Sequence, residues 1–293
     1  MQAFRFLLLS VLLGLLQPVS VRAQGGASLR FFGTGSGDID RVKIALDLHK
    51  PIDLAGDFTI EGWMKALPGE NTSNAVNCNT NDGWILGNII FDRDIYGAGD
   101  YGDYGISRTS GRVAFGLSVG ANGNTICGAT NVADGAWHHV AVTRVAASGQ
   151  LQIFVDGVLD AQGSSASGDV SYRDGRATSY PTSDPFLVLA AEKHNAGAAY
   201  PSYSGWLDEV RASNNVRYAA NFARPSAPFV ADANTVALYH FDEGAGNTLN
   251  DTSDASGGPS HGVIRFGGTP TRPEWSTDTP WTMTRIFLPL ILR

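Results

Sequence analysis

The densest group of chemistry-bearing side chains lies in Asp92-Arg93-Asp94-Ile95-Tyr96-Gly97-Ala98-Gly99-Asp100-Tyr101-Gly102-Asp103. Counted from Asp92, carboxylates fall at positions one, three, nine and twelve and glycine at six, close to the spacing of a calcium loop. Position five is Tyr96, position twelve is aspartate rather than a bidentate glutamate, and strands rather than helices are expected on either side, so a true EF-hand is excluded. Two readings stand. Hard oxygen ligands, chiefly Asp92, Asp94 and Asp100, gather one Ca2+ on a glycine-flexible loop, or the segment is a solvated acidic turn partly neutralised by Arg93. Hydrolysis has less to work with. A retaining glycosidase needs two carboxylates about 5 Å apart. The six glutamates, Glu61, Glu70, Glu192, Glu209, Glu243 and Glu274, stand no closer than nine positions to one another. Aspartates brought together by folding remain available, and period two puts Asp92 and Asp94 on one strand face. No His-Glu-x-x-His pair is present, so zincin-type chemistry has no starting point.

The compartment bounds what such residues could meet. Residues 1–23 read as an export signal: Arg5 supplies charge, Phe6 to Leu16 is an apolar run broken by Ser10 and Gly14, and Val21-Arg22-Ala23 is a small-x-small cleavage site. The run is roughly half the ~20 residues that cross a bilayer, so a cleaved leader and a secreted or cell-surface chain starting at Gln24 are expected. The formal net charge is −7, and the leader would remove two of the 21 basic residues and none of the 28 acidic ones. Phosphate binding needs clustered Lys and Arg, so nucleic acid is excluded as a partner. The two cysteines, Cys78 and Cys127, form a disulfide by default in an oxidising compartment and are otherwise free thiols. The bridge would contribute on the order of 4 kcal/mol in the chain-entropy treatment.

The elements that must position these groups are strands. Glycine is abundant at 35 residues, charge is sparse at 17%, and beyond the leader no stretch repeats with a 3.6-residue apolar period. Period-two alternation marks strands at 58–64, 112–117, 137–143 and 151–155. Ala146 to Gln150 reads as a hairpin link and Asp156-Gly157 as a tight turn into Val158-Leu159, which makes a meander. Further strands are expected at 186–191, 205–212, 235–242 and near 262–266. Ser164 to Pro185 and Asn215 to Asp232 would be long connections, and residues 251–260 a flexible loop. No linker or fixed repeat divides the chain. One all-β domain at 24–281, an antiparallel two-sheet β-sandwich, is the economical reading, with an apolar tail at 282–293. That tail, ending Ile-Phe-Leu-Pro-Leu-Ile-Leu-Arg, is too short to span a membrane and suits surface retention or docking on a sheet edge.

Five blocks carry a family likeness. They are Asp57-Phe58-Thr59-Ile60-Glu61-Gly62-Trp63, Asp134-Gly135-Ala136-Trp137-His138-His139-Val140-Ala141-Val142-Thr143-Arg144, Ile153-Phe154-Val155-Asp156-Gly157, Gly205-Trp206-Leu207-Asp208-Glu209-Val210-Arg211 and Leu238-Tyr239-His240-Phe241-Asp242-Glu243-Gly244. In this order they resemble laminin G-like domains, of the bacterial branch grouped with concanavalin A-like lectins and glucanases, from about Ser28 to about Trp281. The resemblance implies a jelly roll of two antiparallel sheets. It implies less about activity, because the group holds lectins, adhesion modules and accessory domains of enzymes. Trp63, Trp137 and Trp206 are expected in the core with their indole N–H groups on backbone. His138 and His139 face opposite sides of one strand, one packed and one towards solvent. The resemblance also implies a structural Ca2+ held by Asp208 with backbone carbonyls from an early strand, Gly33 being the partner. Without the ion, Asp208 would pair with Arg211 or cap a turn.

Loop aromatics complete the candidate list. Tyr96, Tyr101 and Tyr104 lie in or beside the acidic segment, and Tyr200 and Tyr203 in Ala-Ala-Tyr-Pro-Ser-Tyr-Ser. A ring offers an apolar face and a polar tip, which suits a sugar; ordinary exposed loop tyrosines are the alternative. The expectation is a secreted carbohydrate-binding module without catalytic activity, ahead of a protein-binding adhesion domain and a polysaccharide-degrading enzyme.

Overall fold

The computed structural model describes residues 26–33, 40–46, 50–97, 102–172, 178–267 and 272–281. Its strands are β1 (Ser28–Phe32), β2 (Arg41–Ala45), β3 (Phe58–Lys65), β4 (Asn88–Arg93), β5 (Gly102–Thr109), β6 (Arg112–Val119), β7 (Asn122–Cys127) and β8 (Trp137–Val145). They continue as β9 (Gln150–Val155), β10 (Val158–Ser164), β11 (Phe186–Leu189), β12 (Ser204–Ser213), β13 (Thr235–Tyr239), β14 (Thr248–Leu249), β15 (Gly262–Arg265) and β16 (Glu274–Ser276). One sheet runs β10-β9-β8-β3-β12-β1-β16, with β13 on β12; the other runs β14-β15-β2-β11-β4-β5-β6-β7. All strand pairs are antiparallel. This is the two-sheet sandwich expected from the alternation. The segments expected to be an export signal and an apolar tail lie outside the described residues. Among the described ones, no helix is long and apolar enough to cross a membrane.

Alternation also decides what fills the space between the sheets. Ile60, Val140, Val142, Ile153 and Val155 from the first sheet share one apolar cluster with Ile44, Ile106, Phe115, Leu117, Leu187 and Leu189 from the second. The meander forms as its turn residues require: Asp156 and Gly157 take φ of 50° and 82°, the pair of left-handed residues that matches strand twist in a two-residue hairpin. Cys78 and Cys127 are bonded, with Cα atoms 5.8 Å apart, and tie the connection after β3 to the end of β7.

The outer side of the first sheet is roofed rather than wet. Buried Glu61 accepts hydrogen bonds from Arg211 Nη2 at 2.7 Å, Tyr218 Oη at 2.8 Å and, at 3.1 Å, faces His139 Nε2. Burial pushes the Glu61 carboxyl up, but the His139 and Arg211 contacts outweigh it and hold it below the usual carboxylate range. Tyr218 and Phe222, from the connection after β12, stack at 3.5 Å over this network. The three tryptophans belong on this side and not in the inter-sheet core. Trp63 rests against His139 and Trp281, its indole N–H unpaired. Trp137 and Trp206 donate to the side chains of Asp278 at 2.8 Å and Ser276 at 3.2 Å, not to backbone.

Candidate functional site

The outward side of the second sheet is different in kind. Register pairs Asp92 with Gly105 and Gly105 with Gly116, so these three share the face turned away from the core. Trp84, fully buried, lies over both glycines. A Cβ on Gly105 would come within 2.1 Å of its ring, and one on Gly116 within 2.0 Å. Glycine inside these strands is thus the mark of a close approach.

Beside Trp84 the same face gathers acid. Asp92 is fully buried and accepts the Asp94 N–H at 2.8 Å and the Lys193 N–H at 2.9 Å, one on each oxygen. Asp103 accepts the Ile95 N–H at 2.7 Å. Glu192 Oε2 accepts the N–H groups of His194 and Asn195. His194 bonds Asp184 Oδ1 through Nε2, while Nδ1 stands 3.3 Å from both Asp94 Oδ2 and Glu192 Oε1. Burial, then Glu192 and Asp94, push the Asp92 carboxyl up to about 7. Burial works to lower the His194 pKa, but the bonds to Asp184, Asp94 and Glu192 outweigh it and carry it to about 11.

Aromatic rings step outward from this cluster. Tyr180 stacks on His194 at 4.4 Å and 20°, and Tyr96, 61% exposed, packs on Tyr180 at 5.9 Å. Asn195 Nδ2 donates to Tyr180 Oη at 2.8 Å. A cleft of ≈ 400 Å³ lined by Arg41, Ser183, Lys193, His194, Asn195 and Ala196 opens alongside. The arrangement offers an apolar ring surface, a hydrogen-bonding rim and fixed negative charge within one patch.

A laminin G family model, described as the concanavalin A-like lectin/glucanases superfamily, matches residues 36–221. The chain belongs to that superfamily. No curated protein sequence matches it. Among solved structures, this concanavalin A-like chain is similar to a Bacteroides ovatus protein to which carbohydrate binding has been ascribed, at 13% identity and a TM-score of 0.54. The match covers 86% of this chain and 60% of that one. Domains LG4-5 of the mouse laminin α1 chain align at 14% identity and a TM-score of 0.44, over 76% of this chain and 51% of theirs. A heptameric pentraxin of Limulus polyphemus aligns at 14% and 0.43, over 66% and 78%. At these identities the likeness is one of fold.

Within this concanavalin A-like frame several expected site residues move. Tyr104 is buried in the core against Phe58 and Phe91, because period two along β5 turns it inward with Ile106. Tyr203 is also buried, its hydroxyl donating to the Lys65 carbonyl at 2.9 Å. Neither can face a ligand. Tyr96 is exposed and Tyr200 half-buried; Tyr101 and Asp100 lie outside the described residues. Asp92 and Asp94 do share a face, but Arg93 turns inward to pair with Asp53 at 2.8 Å and acts on the acidic side only through its charge, which works to lower the Asp103 pKa. Asp92 has both oxygens bound to backbone N–H groups, which leaves it poorly placed to hold calcium.

Gly33 does not serve Asp208. Leu29 pairs with Leu207 and Phe32 with Ser204, so Gly33 lies beside Tyr203, five positions and roughly 17 Å along the strand from Asp208. Arg211 is not its partner either, being committed to Glu61. Asp208 is fully buried and no side chain hydrogen-bonds it. Burial, then the charges of Glu209 and Asp242, push its pKa up to about 9.

Sequence reasoning passed over Trp84, Tyr180, Asp184, Glu192 and His194. The alternation of Glu192 and His194 after a strand was a legible signal; Tyr180 and Asp184 sit in a long connection that gave none. It also passed over Gly116-Leu117-Ser118-Val119-Gly120, which has the spacing of a nucleophile elbow. The motif runs along β6 instead of a strand-to-helix turn, and its buried Ser118 donates to Asp82 at 2.7 Å.

Proposed function

We propose that this chain is an exported carbohydrate-binding module that seats a glycan on the outward face of β4, β5 and β11, across Tyr96 and Tyr180 and into the cleft beside His194. The observation that carries the reading is the run of rings from exposed Tyr96 through Tyr180 to His194, standing over carboxylates already fixed by backbone hydrogen bonds. A pyranose lays its C–H face on such rings. Its hydroxyls meet Asn195 and the Tyr180 hydroxyl at little ordering cost, since these two already hydrogen-bond each other. Superfamily membership supports a binding role, and the disulfide fits an oxidising compartment. Carbohydrate binding ascribed to the Bacteroides ovatus relative agrees with it.

A glycan array tests the reading. The unaltered chain is expected to bind a restricted glycan set, and Tyr96→Ala and Tyr180→Ala to weaken binding at least tenfold with unchanged circular dichroism. An array blank for every glycan, or binding indifferent to both changes, would remove the proposal. Release of reducing sugar from a bound polysaccharide would reassign the patch to hydrolysis.

A further inference from the structure

We infer that Asp94, Glu192 and His194 form a binding site for one divalent transition-metal ion of the zinc class. The three residues present ligand atoms that all lie within 4.8 Å of one another. His194 Nδ1 carries at most one proton, yet it faces two carboxylate oxygens, Asp94 Oδ2 and Glu192 Oε1, at the same 3.3 Å. That is longer by about 0.4–0.6 Å than the 2.7–2.9 Å typical of a charge-assisted N–H···O bond. It equals the donor-to-donor spacing of about 3.3 Å that follows from tetrahedral coordination with bonds of about 2.0–2.1 Å.

The surroundings are those of a prepared site. Asp184, fully buried, takes the other imidazole nitrogen, Nε2, in the carboxylate–histidine arrangement that orients metal-binding histidines. Its Oδ1 also stands 3.6 Å from Lys193 Nζ, so the carboxylate charge is shared between His194 and Lys193, while Oδ2 has no hydrogen-bond partner. Glu192 is fixed through Oε2 by two backbone N–H groups, which leaves Oε1 for an ion. Of the three, His194 also lines the cleft beside Lys193 and Asn195. One nitrogen and two carboxylate oxygens make a borderline donor set with room for an exogenous ligand. Calcium is disfavoured, because it takes oxygen ligands alone and more of them. The site therefore shares only Asp94 with the calcium loop suggested by the sequence.

The probe is the metal alone, so the outcome is separate from any result with sugars. The full chain, stripped with a chelator and dialysed, is titrated with ZnCl2 by calorimetry and with Co2+ by visible absorption. One ion per chain is expected, with the intense visible bands of low-symmetry, four-coordinate cobalt and no displacement by tenfold excess Ca2+. Asp94→Asn and His194→Gln should each weaken zinc binding at least 100-fold, and Asp184→Asn about 10-fold or more, with folding checked by circular dichroism. No saturable uptake, or affinity unchanged in both Asp94→Asn and His194→Gln, overturns the inference. Two first-sphere variants are used so that failure of one to fold leaves the other decisive.

Discussion

At the scale of single residues, His138 is a group whose charge state bears on stability away from the candidate site. Its Nδ1 lies 2.8 Å from Asp156 and its Nε2 3.1 Å from Asp134, with Arg224 3.3 Å from the far oxygen of Asp156. The Asp156 bond, partly opposed by burial, raises the His138 pKa above its ordinary value. A raised histidine stabilises the fold in full below its unfolded pKa of about 6.5 and loses that contribution as pH climbs through the folded value. Both aspartates are held below the usual range, so the window opens above roughly pH 4. His138→Gln should therefore lower the melting temperature clearly at pH 5.5 and hardly at pH 9; an equal loss at both would mean that shape and not charge was removed. Gly105 tests packing in the same way. Since a methyl there meets the Trp84 ring at 2.1 Å, Gly105→Ala is expected to cost about 1–3 kcal/mol in urea unfolding, and a neutral result would show that the indole moves freely.

At the scale of elements, the outcome separates what alternation reports from what it does not. The strands read at 137–143, 151–155 and 205–212 are β8, β9 and β12 within a few residues, because each has one face in the core and turn residues at its ends. Strands β4 and β5 are buried on both faces, as β8, β9 and β12 nearly are, but β4 shifts register between Ile89 and Phe91 and β5 has glycine at 105 where Trp84 closes over it. Their sequence therefore lacks a clean period, and Tyr104, expected in or beside a loop, points inward. Likewise Asp92 and Asp94 were found, but not their partners. Glu192 and His194 lie about a hundred positions away and reach them only because β11 pairs with β4, Val188 against Asp92. Local pattern sets which face a side chain takes; it does not say which strands become neighbours.

At the scale of the whole molecule, the two broad faces have different fates. One carries the Glu61 network under Tyr218 and Phe222; the other carries the rings and carboxylates proposed to meet a ligand. Asp208 stands apart from both as a buried acid without a side-chain partner, and the calcium that the resemblance implies there is a proposal. Its orphaned oxygens fit a cation, with Asp242 the near carboxylate in place of Gly33. Mass action then requires the melting temperature to rise with free calcium. The rise should persist in His194→Gln and vanish in Asp208→Asn, and an identical melt in chelator and in millimolar calcium would assign Asp208 to a protonated carboxyl.

The pairing of β1 with both β12 and β16 also fixes when the molecule can be finished. The first of the described strands waits for the last of them before its second flank is covered, and meanwhile offers a bare row of amides and carbonyls to any neighbouring chain. Completion of the sandwich is thus deferred until β16 has been made, and crowding of half-made copies is the hazard this topology must survive.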